Sequence, residues 1–208
     1  MTLRNPALLA KQIPTMSWLT GGTLSLGVGT GWLREEYDAL GIPFEKRGTR
    51  ARQHIVEIKE LLGRSQRSYT VRDADDDLIE KPFVMLPRAP APVELLWGGF
   101  SPVAMRLVAT CCDGWLPAKQ TFEELEDHLG RLKSACDDAG RKFSELRLVV
   151  KPGPGPDPRS GAIDKGNLAR NAEMGFHEAI LEMPYEADGV TDAVKTLERV
   201  AARSWLSP

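Results

Sequence analysis

The chain has 208 residues, 42% of them hydrophobic and 27% charged, which is ordinary for a globular protein with enough apolar material for one core. A formal net charge of −2 leaves no electrostatic footprint for nucleic acid or an anionic membrane, and no apolar run approaches a bilayer span or a signal-peptide core. Three cysteines, two of them adjacent at Cys111 and Cys112, make neither a disulfide framework nor a metal-ligand spacing; the plain reading is a reduced cytoplasmic protein without metal.

Residues 6–19 carry Leu9, Ile13 and Met16 at helical spacing, with Pro14 expected to kink or shorten the helix. Leu24–Val28 reads as a buried strand that runs out into Gly27, Gly29 and Gly31 and then Trp32. The paired Glu35 and Glu36 suit acid–base work, or more plainly the solvated start of a loop, and Arg50–Leu62 reads as an amphipathic helix with Ala51, Ile55, Ile58 and Leu62 facing the core. Two short β-prone arms, Ser68–Val71 and Phe83–Leu86, flank an acidic tip at Asp73–Asp77. Beyond the link "LPRAPAP" come a second strand, Val93–Trp97, the pair Gly98-Gly99 and a helix from Pro102 to Cys112.

"DGWLP" (Asp113–Pro117) is a short third strand, and Thr121 with Glu124 forms a capping box opening a helix that buries Phe122, Leu125, Leu129, Leu132 and Cys136. The fourth strand, Leu146–Val150, enters the loop "KPGPGPDPRSG". A helix near Ala162–Met174, a fifth strand Glu178–Met183 and a helix Val190–Ala202 follow. This alternation implies one domain over residues 1–208 with a parallel sheet and crossover helices. A closed β/α barrel needs about 250 residues, so the chain is either an open doubly wound sheet or part of a barrel.

Two glycine clusters carry the candidate site. Gly27, Gly29 and Gly31 are spaced G-x-G-x-G, with no nearby second strand ending in an acidic residue, and no Gly-Lys-Ser/Thr occurs; both nucleotide motifs fail. What remains is a strand tip stripped of side chains, where a flat ligand can lie on the backbone beside Trp32, or else a tight turn. In "LLWGGFSPVAM", Ser101 can cap and Pro102 sits at the first helical position. The free N–H groups of that helix end suit a phosphate reached across Gly98 and Gly99, the alternative being a plain capped helix. Lys119 and Lys151 follow strands on the same face; His54, His128 and His177 do not, and Cys111 and Cys112 read as packing residues. With no triad and no metal cluster, the chemistry is expected to reside in a bound, flat, phosphorylated cofactor.

The stretch "RNPALLAKQIPTMSWLTGGTLSLGVGTGWLREEYDALGIPFEKRGTR" resembles the luciferase-like monooxygenase family, most nearly its coenzyme F420-dependent (deazaflavin) oxidoreductases, and "WGGFSPVAMRLVATCCDGWLP" is a second similar segment downstream. The resemblance implies a (β/α)8 TIM-barrel-type fold, incomplete, with about five of the eight strands present. It implies hydride transfer between F420 and a small organic substrate, with an FMN-dependent monooxygenase as the alternative. By the same likeness Thr30 and Gly31 line the cofactor and Glu35 makes a polar contact, while Gly98, Gly99, Ser101 and Pro102 take its phosphate. Trp32 stands near the substrate where some relatives place an acid or base, so no catalytic residue is assigned. The loop after the fourth strand corresponds to a mobile lid. Family members begin with about three more strands, so two raw sheet edges are expected to drive self-association into a homo-oligomer or to rearrange the sheet. A shortened gene product, or an inactive relative retained for binding or assembly, would account for the departure.

Overall fold

The computed structural model of the protein describes residues 1–63, 67–83, 85–152 and 165–180. Five strands form one purely parallel sheet whose spatial order follows the chain: β1 (Leu24–Val28), β4 (Val93–Trp97), β5 (Gly114–Trp115), β6 (Arg147–Val150) and β7 (Glu178–Ala179). Helices α4 (Pro102–Cys111), α5 (Phe122–Asp138) and α6 (Lys165–Glu173) connect successive strands of the sheet from β4 onward. Sequential parallel order with helical crossovers curls the sheet into a half-barrel, the partial TIM-barrel architecture read from the sequence. The long β1-to-β4 connection holds α2 (Arg34–Ala39), α3 (Arg47–Leu62) and a separate hairpin, β2 (Arg67–Arg72) with β3 (Leu78–Phe83). No described helix is long and apolar enough to cross a membrane.

Alternation along the strands divides the sheet into two faces. Leu95, Trp97, Trp115, Leu148 and Val150 join the helices in the main core, whereas Leu96 and Val149 are buried on the concave side. At the N-terminal end of that concave side the Arg147 guanidinium reaches Glu94, Glu178 and the Ser25 hydroxyl, so one cation ties four strands together. Strand β5 contributes no side chain there. A Cβ at Gly114 would lie 2.1 Å from the Arg147 carbonyl oxygen and 2.6 Å from Leu96 Cδ2.

Several expectations need correction. Helix α1 (Pro6–Thr20) runs unbroken through Pro14, because the proline lies on the buried face with Ala10, Ile13 and Ser17, packed toward α3; the lost N–H costs one ladder bond to Ala10, which this packing offsets. That face is rotated from the one expected: Leu9 is only half-buried and Met16 is exposed, since small Ala10 and Ser17 let α3 approach. Helix α3 starts at Arg47, not Arg50, and buries Leu61 in preference to Leu62. Glu35 and Glu36 lie in the first turn of α2, not in a loop. The second hairpin arm is Leu78–Phe83 and not Phe83–Leu86, because Asp73 Oδ1 accepts from the Asp75 and Asp77 amides and closes a tip that pairs Arg72 with Leu78. Strand β5 is Gly114–Trp115, followed by an isolated bridge from Ala118 to Lys151. The lid segment 153–161, residues 162–164 of the expected helix, 181–183 of the expected strand and the helix Val190–Ala202 lie outside the described residues.

Candidate functional site

The tips of β1 and β4 are neighbours. Gly98 N–H donates to the Val28 carbonyl at 2.8 Å, and a Cβ at Gly29 would stand 3.6 Å from the Gly98 oxygen. The two glycine clusters of the sequence thus meet at the C-terminal mouth of adjacent parallel strands, where β/α folds hold ligands. Part of the glycine content serves the protein's own packing. A Cβ at Gly27 would meet Leu116 Cδ2 at 2.9 Å, one at Gly98 the Leu116 carbonyl at 3.2 Å, and one at Gly99 the Trp97 Nε1 at 2.9 Å. The exposed Gly31 adopts φ +79°, a left-handed conformation suited to glycine, and a Cβ there would stand 3.5 Å from Tyr37 Cε2 and from its hydroxyl oxygen.

Behind the β1 tip, Thr30 turns its carbonyl inward. Thr2 Oγ1 donates to it at 2.8 Å and the Tyr37 hydroxyl also bonds it, while the two hydroxyls contact each other. Three oxygens share two protons here, so either hydroxyl can relay to the carbonyl. Thr2 and Tyr37 are both fully buried, and the Tyr37 ring stands edge-on to Phe44 at 5.2 Å. Behind the β4 tip the buried Trp115 indole donates to the Gly99 carbonyl at 3.0 Å.

Helix α4 starts as the sequence suggests. Ser101 caps it by accepting from Ala104 N, and Pro102 occupies the first turn without an N–H to satisfy. This leaves the Val103 amide as the outward donor of the first turn, on an exposed residue beside half-buried Gly98 and Gly99. The helix dipole adds positive potential at this end. The structure therefore gathers Thr30, Gly31, Gly98, Gly99, Ser101 and Pro102 along two adjoining tips, with Trp32 largely exposed (83%) beside them and Glu35 exposed on α2.

The remaining candidates fall elsewhere. Lys119, in a left-handed conformation (φ +56°), donates its amide to the Lys151 carbonyl, placing both residues at the tips of β5 and β6. His128 stacks on Phe100 between helix and sheet, and His177 Nδ1 accepts from Leu148 N. His54 is half-buried in α3, and desolvation holds its imidazole below the usual range. Burial pushes the Cys112 thiol up to about 12. No metal-binding cluster of His, Cys, Asp or Glu exists among the described residues. A cavity of about 610 Å³ lies at the other end of β4, lined by Lys59, Leu62 and the Arg88–Pro92 link. It contains none of the candidate residues. Sequence reasoning missed Thr2, Tyr37 and Trp115, whose contacts span 28, 7 and 16 residues and leave no local pattern.

Comparison with known proteins adds an independent view. A family model described as "Luciferase-like monooxygenase" matches residues 1–156. An uncharacterized protein of Mycobacterium tuberculosis is 30% identical over 201 residues, covering 94% of this chain and 64% of that protein. An F420-dependent glucose-6-phosphate dehydrogenase of Beutenbergia cavernae is 29% identical over 221 residues (99% of this chain, 61% of the enzyme). An FMNH2-dependent dimethylsulfone monooxygenase of Pseudomonas fluorescens is 27% identical over 148 residues (70% and 40%). The chain thus spans less than two thirds of the length of these curated relatives. Among solved structures, an F420-dependent secondary alcohol dehydrogenase in complex with an F420–acetone adduct superposes with a TM-score of 0.64 at 15% identity, covering 85% of this chain and 69% of that one, a likeness of fold.

Proposed function

The chain belongs to the luciferase-like monooxygenase family, a family of oxidoreductases and monooxygenases, and from that premise we propose that it is an F420-dependent oxidoreductase acting on a small organic substrate. The observation that carries the reading is the junction of the two glycine tips with the capped start of α4. Bare backbone at Gly29–Gly31 suits a planar ring, and the Val103 amide at a helix N-terminus suits a phosphate. Thr30, Gly31 and Glu35 would contact the ring side, and Gly98, Gly99, Ser101 and Pro102 the phosphate side. When bound, the deazaflavin supplies hydride transfer; the protein orients the reactants and excludes water. Trp32 offers an indole donor and an apolar wall but no proton transfer, so it positions substrate. FMN is the alternative cofactor, supported by the FMNH2-dependent relative.

Titration of the protein with F420 and with FMN, followed by fluorescence and calorimetry, tests this. Saturable F420 binding is expected, and saturable binding of FMN alone moves the assignment to a flavin monooxygenase. Ser101→Asp keeps a good helix cap yet sets a negative charge against the phosphate, so F420 should bind at least about tenfold more weakly with thermal stability unchanged.

A second reading is favoured by α1. Its outward face exposes Leu8, Met16, Trp18 and Leu19, large apolar side chains interspersed with Lys11, Gln12 and Thr15, while the opposite face is buried against the core. In that reading a second copy covers this face and the chain serves binding or assembly. A stable dimer that ignores both cofactors and dissociates on Leu19→Glu would support it.

A further inference from the structure

We infer that Tyr37, with Thr2, and Trp115 are positioning residues that aim two backbone N–H donors, those of Gly31 and Phe100, at the ligand. The inference rests on the site reading above and concerns residues that reading does not use.

At each strand tip the same arrangement recurs. A fully buried aromatic side chain takes a carbonyl oxygen: Tyr37 that of Thr30, shared with Thr2, and Trp115 that of Gly99. In a trans peptide the C=O and the following N–H point in opposite directions. Among the described residues the only cis bond is Leu86–Pro87, so both peptides are trans. Holding Thr30 O inward therefore turns the Gly31 N–H outward. Holding Gly99 O against Trp115, on the helical side of the sheet, turns the Phe100 N–H away from the helices. Neither amide is taken by a described backbone or side-chain acceptor.

The two devices are independent, one built from the N-terminal segment and α2, the other from β5. The left-handed φ of Gly31, beside the Tyr37 side chain that a Cβ there would meet at 3.5 Å, suits the first one to glycine. The donors they present sit on adjoining tips, so a ligand carrying anionic or carbonyl oxygens could meet both at once. Preorganised donors of this kind cost no reorganisation when the ligand arrives.

The test uses the full chain. Tyr37→Phe combined with Thr2→Val removes both bonds to Thr30 while keeping shape, Trp115→Phe removes the bond to Gly99, and Thr2→Ser retains the hydroxyl. Measured well below each variant's melting temperature, F420 affinity should fall about tenfold in the first two, the scale of one lost hydrogen bond, and stay at the wild-type value in Thr2→Ser. Backbone ¹⁵N order parameters without ligand should fall at Gly29–Trp32 in the Tyr37/Thr2 double variant and at Gly98–Ser101 in Trp115→Phe. A merely structural role would lower melting temperatures but leave the affinity of the folded protein and these local order parameters unchanged, and that result overturns the inference. If wild-type protein binds neither F420 nor FMN, the site reading fails by itself. The order parameters then decide: local loosening upholds the aiming of the two tips, and unchanged values overturn it.

Discussion

Gly114→Ala should be the most damaging small substitution in the sheet, and its cost can be worked out from geometry. The added methyl would stand 2.1 Å from the Arg147 carbonyl oxygen and 2.6 Å from Leu96 Cδ2. Leu96 could shift, but the carbonyl belongs to the paired strand. Reaching an ordinary carbon–oxygen contact requires β5 and β6 to part by roughly 1 Å. That movement stretches the neighbouring bond from Arg147 N to Asp113 O, now 3.0 Å, and disturbs the Arg147 cluster that joins four strands. Overpacking of about 1–3 kcal/mol plus one or two ladder bonds of about 1 kcal/mol each gives a loss of roughly 2–5 kcal/mol. In a protein of this size that corresponds to a fall in Tm of about 10 °C. Gly130→Ala is the matched control, an exposed position inside α5 with nothing within 4 Å of the new methyl. It should gain about 0.5–1 kcal/mol from helix propensity. Thermal unfolding followed by circular dichroism measures both. A Gly114→Ala protein within about 1 kcal/mol of wild type would refute the β5–β6 register.

Burial that raises the Cys112 thiol to about 12, and raises Cys136 as well, should leave both inert to a thiol reagent at pH 8. Half-buried Cys111 then reacts first, so mass spectrometry of the native protein should find one rapid label, at Cys111, and three after unfolding. The His54 imidazole lies below its ordinary pKa of 6.5 because burial disfavours the charged form. Its contribution to stability is complete above pH 6.5 and declines as pH falls through the lowered folded-state value. Denaturant melts at pH 7.5 and 5.0 should show that slope, and His54→Gln should reduce it.

Local signals were enough to read the sheet. The five strands are short apolar runs set off by glycine and proline, and the Thr121–Glu124 box and the Ser101–Pro102 start are capping chemistry that acts within a few residues. Helix α2 escaped because it has six residues and Leu33 at its cap makes no side-chain bond. The second hairpin arm shifted because its register is set by Asp73 accepting from two amides, not by the apolar residues of the arm. The site was legible as two glycine clusters, but not the reasons for several of the glycines. Gly27, Gly98 and Gly114 answer to Leu116 and Arg147, partners that become neighbours only when the strands pair. Thr2 and Tyr37 meet across 35 residues, a contact that periodicity and spacing have no means of encoding.

The most direct test of the account is a crystal structure of the protein soaked with coenzyme F420. The account predicts the ring on the backbone of Gly29–Trp32 and the phosphate within hydrogen-bond reach of the Val103 amide and Ser101. Coenzyme bound in the cavity beside Lys59 and Arg88, or a Gly31 N–H turned inward, would contradict it.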